Sequence, residues 1–373
     1  MKILLCVHHR LDVNTGAPGV TLELGAAYRA LGHEVAYLSF DDLPAGVRPP
    51  LDELIFPAAA TRLLDARRDV DVIDASTGDA WLWARLRRNR RAKLITRSHG
   101  LEHVYWESVL DEARVARQAV PLRTRLYHGG WRLREVAASL RAADGCIFLN
   151  PADLEYATER LGVRSAKCVV LPNGIPPELT GRPLSAPSEP PAIAMIGSWS
   201  SRKGVRYAAA ALTQLLGERR ELRLRLLGTQ SSPSEVLAAF PPALHPRINV
   251  VVSYDRAQLP DLLAGTGILL SAALAEGFGL GILEGMALGL APVSTSLPGP
   301  GEFLRDGENG LLVPPRDADA LRAATERLLD DRPLLERLRQ GAHAEAQRFT
   351  WSQVAERNVE LYERAISGTS GLD

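Results

Sequence analysis

The sequence predicts an α/β protein built from two doubly wound parallel-sheet halves. Three observations carry that prediction. Short β-type runs alternate with longer helical patterns, the order that makes a parallel sheet with helices on its faces. Several runs, such as "KILLCV" (2–7) and "GILLSAAL" (267–274), read as buried strands. A Pro- and Ser-rich stretch without periodicity, "GRPLSAPSEPPA" (181–192), interrupts the pattern, which then restarts.

In the first half, "KILLCV" leads through a polar loop to "GVTLELGAAYRALG" (19–32). There Leu22, Leu24, Ala27, Tyr28 and Leu31 give a helical face, and Gly32 suits a helix stop. "EVAYLSF", "DVDVIDAS", "AKLITRS", "DGCIFLN" and "KCVVLPN" follow as strands. The second half reads "AIAMIGS", "LRLRLLG", "INVVVS", "GILLSAAL", "LAPVSTS" and "GLLVP" with helices between them. A hinge belongs near 175–192, and "LPNGI" (171–175) reads as a structural Asn-Gly turn beside it. "RDADA" (316–320) reads as a helix start capped by Asp317. The last segment, "TWSQVAERNVELYERAI" (350–366), is helical, with Val354, Val359, Leu361 and Tyr362 as its apolar positions. In open parallel sheets, ligands bind beyond the carboxyl ends of strands. Two such sheets facing a central cleft would bind there, so the loops after strands are where chemistry is expected.

Composition narrows the function. Lys plus Arg equals Asp plus Glu, 44 each, so global charge argues for no nucleic-acid partner. No apolar run approaches the roughly 20 residues of a membrane span. "MKILLCV" is too short for a signal peptide and reads as a strand. Cys6, Cys146 and Cys168 each sit in a strand-like run, which suits free thiols in a reducing cytoplasm. No CxxC or HExxH spacing points to a metal. "DVD" (69–71) looks like a metal-holding DxD, but it runs straight into a strand, so no metal ligand is expected there.

Four loops could carry chemistry. "EGFGLGILE" (276–284) lies between a buried strand and a helix pattern. Its glycines would cost about 1 kcal/mol each in a helix interior, so they mark a close approach of backbone to a ligand. Free N–H groups and the helix dipole at such a turn favour a diphosphate. Glu276 before the turn and Glu284 one turn into the helix can each accept hydrogen bonds from hydroxyls. Two surface glutamates on a tight turn are the bland alternative. "IGSWSSRKG" (196–204) follows the first strand of the second half, and Arg202 and Lys203 there can clamp phosphate oxygens. "NTGAPG" (14–19) places Gly16 and Gly19 after strand one, but lacks the GxGxxG of a nicotinamide site. "TRSHG" (96–100) puts His99 after a strand, an acid-base or hydroxyl-binding candidate.

Together these residues resemble the retaining glycosyltransferases of family 4, which have the GT-B fold. The specific stretch is "EGFGLGILEGMALGLAPVSTSLPGPGEFLRDGENGLLVPPRD" (276–317), similar to the family's E-x7-E motif and the strand, glycine turn and segment after it. "LPNGI", "GHEV" (32–35) and the terminal helix also resemble family segments. The resemblance implies two Rossmann-like domains. Residues 1–176 would bind the acceptor, completed by a C-terminal helix at about 350–368. Residues 190–349 would bind a nucleotide-diphosphate sugar, with 177–189 as linker. Glu276 would lie by the donor sugar and Glu284 on the ribose diol. Backbone around Gly277, Phe278, Gly279 and Leu280 would meet sugar and phosphate. Lys203 would neutralise the diphosphate, and His99 would lie near the reacting sugar. The resemblance implies no metal and no cofactor beyond the donor substrate. Three positions depart from the family pattern. Ser198 stands where arginine is usual, so either Arg202 or Arg206 supplies that charge or phosphate binding is weaker. "GAPG" replaces a Gly-Gly pair, and Gly285 stands where alanine is common.

The expected reaction moves a glycosyl group to an acceptor hydroxyl with retained configuration, in cell-surface polysaccharide, glycolipid or other glycoconjugate synthesis. The rivals are a nucleotide-sugar epimerase of the same fold and a non-catalytic nucleotide-sugar-binding protein. The basic stretch 85–134, with Leu126, Tyr127 and Trp131 among its arginines, reads either as a solvated surface or as a patch for an anionic membrane. The second reading places the protein at the inner face of the cell membrane.

Overall fold

A computed structural model describes residues 1–86, 91–184 and 192–368. They form two compact units, Met1–Gly174 with Trp351–Asp373, and Ile175–Thr350. Each of the twelve β-type runs contains a strand.

The first unit holds β1 (Lys2–Cys6), β2 (Glu34–Leu38), β3 (Val72–Ser76), β4 (Lys93–Arg97), β5 (Gly145–Phe148) and β6 (Cys168–Val170). All neighbours are parallel, in the order β2-β1-β3-β4-β5-β6. Helix Gly16–Ala30 follows β1 and buries Val20, Leu24 and Tyr28. It stops where expected, with Gly32 at φ +85°. Leu31 departs from its expected place: as the terminal cap residue it turns outward and is 38% exposed. "LPNGI" is not a tight turn, because neither Asn173 nor Gly174 takes a positive φ and segment 171–174 carries no turn.

The C-terminal helix Trp351–Ser367 belongs to this unit and buries Trp351, Val354, Leu361 and Tyr362. A polar network fixes it to the sheet. Arg97 Nη2 donates to Asp74 Oδ2 at 2.6 Å and to Asn358 Oδ1 at 3.0 Å. The Tyr362 hydroxyl donates to Asp74 and shares a 2.8 Å bond with Tyr28. Burial alone would lower the Arg97 pKa, but the adjacent Asp74 carboxylate outweighs it and holds the guanidinium charged.

The second unit holds β7 (Ala192–Ile196), β8 (Arg223–Leu227), β9 (Ile248–Val251), β10 (Ile268–Ser271), β11 (Ala291–Thr295) and β12 (Leu311–Val313). Their order is β12-β11-β10-β7-β8-β9, again parallel throughout. The chain winds outward from β7 through β8 to β9, then restarts beside β7 at β10 and winds the other way. The carboxyl ends of β7 and β10 therefore flank the switch point of this sheet, where ligands are expected. In the first sheet the equivalent pair is β1 and β3. Asp317 caps helix Ala318–Asp330 by accepting from Ala320 N at 2.8 Å. Among the described residues, no helix is long and apolar enough to cross a membrane. Cys6, Cys146 and Cys168 are free and buried.

Candidate functional site

The loop after β7 and the loop after β10 bring the expected second-unit residues together. After β7, Gly197 takes φ +126°, where a Cβ would lie 3.3 Å from Lys203 Cε. The chain then makes a short 3-10 turn, Ser201–Lys203, and enters helix Val205–Glu218 through Gly204. Gly204 has φ +66° and no room for a side chain, since a Cβ would sit 1.8 Å from the Ala272 carbonyl oxygen. That contact clamps the first loop onto the second. Leu274 N also donates to Arg202 O at 2.8 Å.

The second loop runs from Ala272 to Gly279, which takes φ +102° and opens helix Leu280–Ala287. Its last turn before the helix is packed from below. Phe278 is 2% exposed and meets the Phe303 ring at 5.2 Å and the Phe349 ring at 6.1 Å between centroids. Its side chain therefore anchors the loop, and only its backbone is available to a ligand. Gly299 approaches from the loop after β11, where a Cβ would lie 2.4 Å from the Glu276 carbonyl oxygen. Gly285, which stands where alanine is common, lies on the face of the helix toward β10. A Cβ there would lie 2.7 Å from Leu269 Cδ2, so the leucine would have to turn aside.

Two ion pairs result. Lys203 Nζ donates to Glu276 Oε2, with the side chains 23% and 12% exposed. Burial pushes the Glu276 carboxyl up, but Lys203 and then Arg202 outweigh it, and the group stays below the usual glutamate value. Glu284 accepts from Arg256 Nη2 at 2.6 Å and from Arg256 Nε at 3.1 Å, both on Oε1. Tyr254 lies nearby, its hydroxyl pKa raised by burial and then by the Glu284 charge. Ser198 Oγ shares a 3.1 Å bond with Ser200 Oγ. Beside these groups lies a small cleft lined by Gly197, Ser198, Trp199, Lys203, Thr229 and Ala272 among others. Arg206 is exposed and lies over the Tyr207 ring, 5.9 Å from its centroid.

Sequence reasoning did not find Arg256 or Gly299. Arg256 lies in the loop after β9, in "SYDRAQ" (253–258), where nothing in its spacing links it to Glu284. Gly299 acts by what its missing side chain allows, which only the folded loop shows.

The first-unit candidates are more dispersed. His99 follows β4, and its Nε2 lies 3.2 Å from Ser76 Oγ at the end of β3. Burial, then the Arg97 charge, lower its pKa to about 3, so the ring is neutral near pH 7. Gly16 opens the first helix with open space around it. Gly19 lies against the Val13 carbonyl oxygen, 2.7 Å from where a Cβ would be, so its own loop already requires a glycine. Asp69 and Asp71 of the DVD run bind Lys2, through its ammonium at 3.2 Å and its backbone N–H at 2.9 Å. The basic stretch 85–134 is only partly a surface. Residues 87–90 lie outside the described residues, and so do 185–191 of the linker. Arg132 turns inward, 14% exposed, because Asp79, Glu102 and Glu135 surround it.

Comparison with known proteins fits this architecture. Residues 15–179 match the model described as Glycosyltransferase Family 4, and residues 190–331 the one described as Glycosyl transferases group 1. The sucrose-phosphate synthase of Thermosynechococcus elongatus superposes with a TM-score of 0.80 at 20% identity, over 99% of this chain and 100% of that one. The chain has the GT-B fold of the glycosyltransferases. Anabaena HepE, solved in complex with UDP-glucose, shares it at a TM-score of 0.70 and 20% identity, over 97% and 99% of the two chains. A glycogen synthase of Mycobacterium tuberculosis is 27% identical over 407 aligned positions, 99% of this chain and 96% of that protein. An exopolysaccharide phosphotransferase of Streptomyces coelicolor is 29% identical over 241 positions, and the chain spans only 24% of its length. Glycosyltransferase chemistry is what the family matches and relatives support for this GT-B chain.

Proposed function

We propose that this GT-B chain is a retaining glycosyltransferase that needs no metal and takes its sugar from a nucleotide-diphosphate sugar. The observation that carries the reading is the pairing of Lys203 with Glu276 beside the glycine turn at the switch point of the second sheet. Lys203 and Arg202 supply the positive charge that a leaving diphosphate requires, and the N-terminus of helix Leu280–Ala287 adds its dipole. Lys203 would exchange its bond to Glu276 for the diphosphate. Glu276 would then be free to accept hydroxyls of the donor sugar. Glu284, paired with Arg256, would accept from the ribose diol. Ser198 leaves room in the cleft where the family carries an arginine. His99, neutral near pH 7, would bind a sugar hydroxyl rather than a phosphate. The leaving diphosphate would take the acceptor's proton in a front-face displacement, which keeps the anomeric configuration. The products would be cell-surface polysaccharide, glycolipid or another glycoconjugate. Exposed Leu122, Leu126 and Trp131, with arginines 123, 125 and 134, would rest on an anionic membrane surface.

Saturation-transfer NMR against UDP-, GDP-, ADP- and dTDP-sugars tests the donor site. HepE, with its UDP-glucose, makes UDP-sugars the first to try. Binding of one nucleotide class, weakened at least tenfold by Glu284→Ala, is expected. Binding of none removes the donor reading, and an inverted anomer in the first product removes retention. Loss of turnover in EDTA removes metal independence.

A further inference from the structure

Two of the three buried thiols meet in the first sheet. β5 and β6 are parallel neighbours, and Cys146 stands in register with Cys168. Register partners in adjacent strands put their side chains on one face of the sheet. Both thiols join the same apolar cluster there, with Leu140, Ala157 and Val163. Adjacent strands lie about 4.8 Å apart, inside the roughly 4.4–6.8 Å between Cα atoms that a disulfide spans. A bond between the two sulfurs therefore needs side-chain rotation, not a change of register.

The surroundings set this pair apart from Cys6. Lys167 Nζ donates to the carbonyl oxygens of Leu140, Arg141 and Ala143, each at 2.8 Å. Cys146 Sγ donates to the same Leu140 oxygen at 3.3 Å, so the ammonium and this thiol share an acceptor. Cys168 Sγ donates to Arg164 O at 3.3 Å. The Lys167 charge favours the thiolate of both cysteines. A hydrogen bond from the Cys146 thiol, helped by Lys167, outweighs burial and holds the Cys168 thiol below its usual value. The same bond, then burial, push the Cys146 thiol well up. One sulfur is thus suited to lose its proton first and the other to keep it. Cys6 instead faces Asp79, Asp42 and Asp74, and burial and those charges push its thiol well up. Cys168 is also the more accessible of the pair, 4% exposed against 0% for Cys146. It opens β6, a three-residue edge strand with one neighbour, straight after the turn Ser165–Lys167, where Ser165 and Ala166 are exposed. Short segments with few contacts open locally at the lowest cost.

We infer that Cys146 and Cys168 form a reversible dithiol–disulfide site, at which a small hydroperoxide oxidises Cys168 and Cys146 resolves it. With hydrogen peroxide, the Cys168 thiolate attacks one oxygen. An S–O bond forms, the O–O bond breaks, and hydroxide leaves with the electron pair and takes a proton to become water. The Cys146 sulfur then attacks the sulfenic sulfur of Cys168. An S–S bond forms, the S–O bond breaks, and a second water leaves with the Cys146 proton. Two electrons pass from the two thiols to the peroxide, and an added dithiol returns them. The link ties the edge strand β6 covalently to β5. The inference does not rest on the transferase reading, and its test measures no sugar transfer.

The test is intact-mass spectrometry and peptide mapping of the full chain, reduced with dithiothreitol, freed of it and exposed to hydrogen peroxide. The expected product has lost two hydrogens and holds one linked peptide pair, Cys146 to Cys168. Thiols counted in denaturant should fall from three to one, and dithiothreitol should restore all three. Cys6 should react at least tenfold more slowly than Cys168. Cys168→Ala should abolish the loss of two hydrogens. Cys146→Ala should leave a sulfenic acid on Cys168 that dimedone captures, and Cys6→Ala should change neither result. Mapping of the wild type decides by itself where a variant fails to fold. Three thiols surviving peroxide overturn the inference, as does a link through Cys6 or a link between two chains in place of the internal one. First capture of dimedone at Cys146, or oxidation of Cys168 to sulfinic acid with Cys146 unlinked, overturns it as well.

Discussion

At the scale of single residues, geometry divides the glycines by task. Gly204 cannot be replaced, because its left-handed φ and its contact with the Ala272 carbonyl oxygen both forbid a side chain. Gly204→Ala should cost more than the roughly 1–2 kcal/mol of a left-handed alanine, since the clash adds to it. A lowered thermal midpoint, with donor binding lost in parallel, is the expected readout. Gly299 has an ordinary φ of −61°, so Gly299→Ala acts by contact alone, pushing the backbone of Glu276 and Gly277. It should weaken nucleotide-sugar binding with a smaller loss of stability, and titration of both quantities on one variant separates the two glycines. Arg256→Ala should leave Glu284 charged and unpaired. We expect about 1–3 kcal/mol of lost stability and a higher KM for the donor. An unchanged KM would mean that Glu284 does not meet the ribose.

His99 gives a prediction in pH. Its ring titrates near 6.5 when unfolded and at about 3 when folded. Between those values the unfolded chain binds the extra proton. The stability tied to neutral His99 is therefore complete above pH 6.5 and is lost as pH falls toward 3. Asp153 works in the opposite sense, since burial raises its carboxyl to about 6 and its share of stability declines as pH rises through that value. Comparing wild type with His99→Asn cancels Asp153. Urea unfolding should show the variant losing about 1–2 kcal/mol less than wild type between pH 7 and pH 4.5, after allowance for partial solvent access. Equal losses would mean that the ring is solvated.

At the scale of elements, the sequence showed what is local and hid what is assembled. The twelve strands were legible because each is an apolar run bounded by turn residues. Glu276, Glu284 and their glycines were legible because strand, turn and helix are contiguous. Lys203 was found by the same logic, one strand earlier. A first-unit cleft lined by His8, Glu53, Asp79, Glu102, Tyr127, His128 and Arg132 was not, because these residues come from five separate segments of the chain. Arg132 was hidden inside a run of arginines that looked like one surface. The helix around it has two characters. Arg132 faces inward on buried carboxylates, while Leu122 is 71% exposed, Leu126 66% and Trp131 51%. That outer face, with its arginines, makes a membrane prediction that belongs to this element alone. Liposome flotation should show binding to anionic vesicles that falls sharply in a Leu122→Ser, Leu126→Ser, Trp131→Ser variant and in high salt. Equal flotation on neutral vesicles would remove the electrostatic part, and none on either would remove the membrane surface.

At the scale of the molecule, the two units differ in how the chain builds them. The second is one continuous segment, Ile175–Thr350, closed where Ile175 N donates to Phe349 O at 2.7 Å. The first needs both ends of the chain, because helix Trp351–Ser367 covers its sheet and completes the Asp74–Arg97 network. Composition could not reveal this dependence. Asp74 and Arg97 lie in strands that read as apolar, and their partners Asn358 and Tyr362 lie more than 260 positions away. Removing residues 351–373 would strip Asn358 and Tyr362 from a buried ion pair and expose the apolar positions that Leu361 and Val354 cover. Each buried polar group left without its partner costs about 1–3 kcal/mol, and together with the lost apolar cover this is a large share of the roughly 5–15 kcal/mol that holds a typical domain together. A chain ending at residue 350 should therefore keep a cooperative melt for the second unit and lose that of the first. A fragment spanning 175–350 should fold alone and still bind the nucleotide sugar. Native-state hydrogen exchange on the two fragments reads this directly. If amides of β3 and β4 stay protected in the truncated chain, the buried network is not what holds the first unit together. If they exchange freely while β7 and β10 stay protected, the C-terminal helix is an integral part of the first unit.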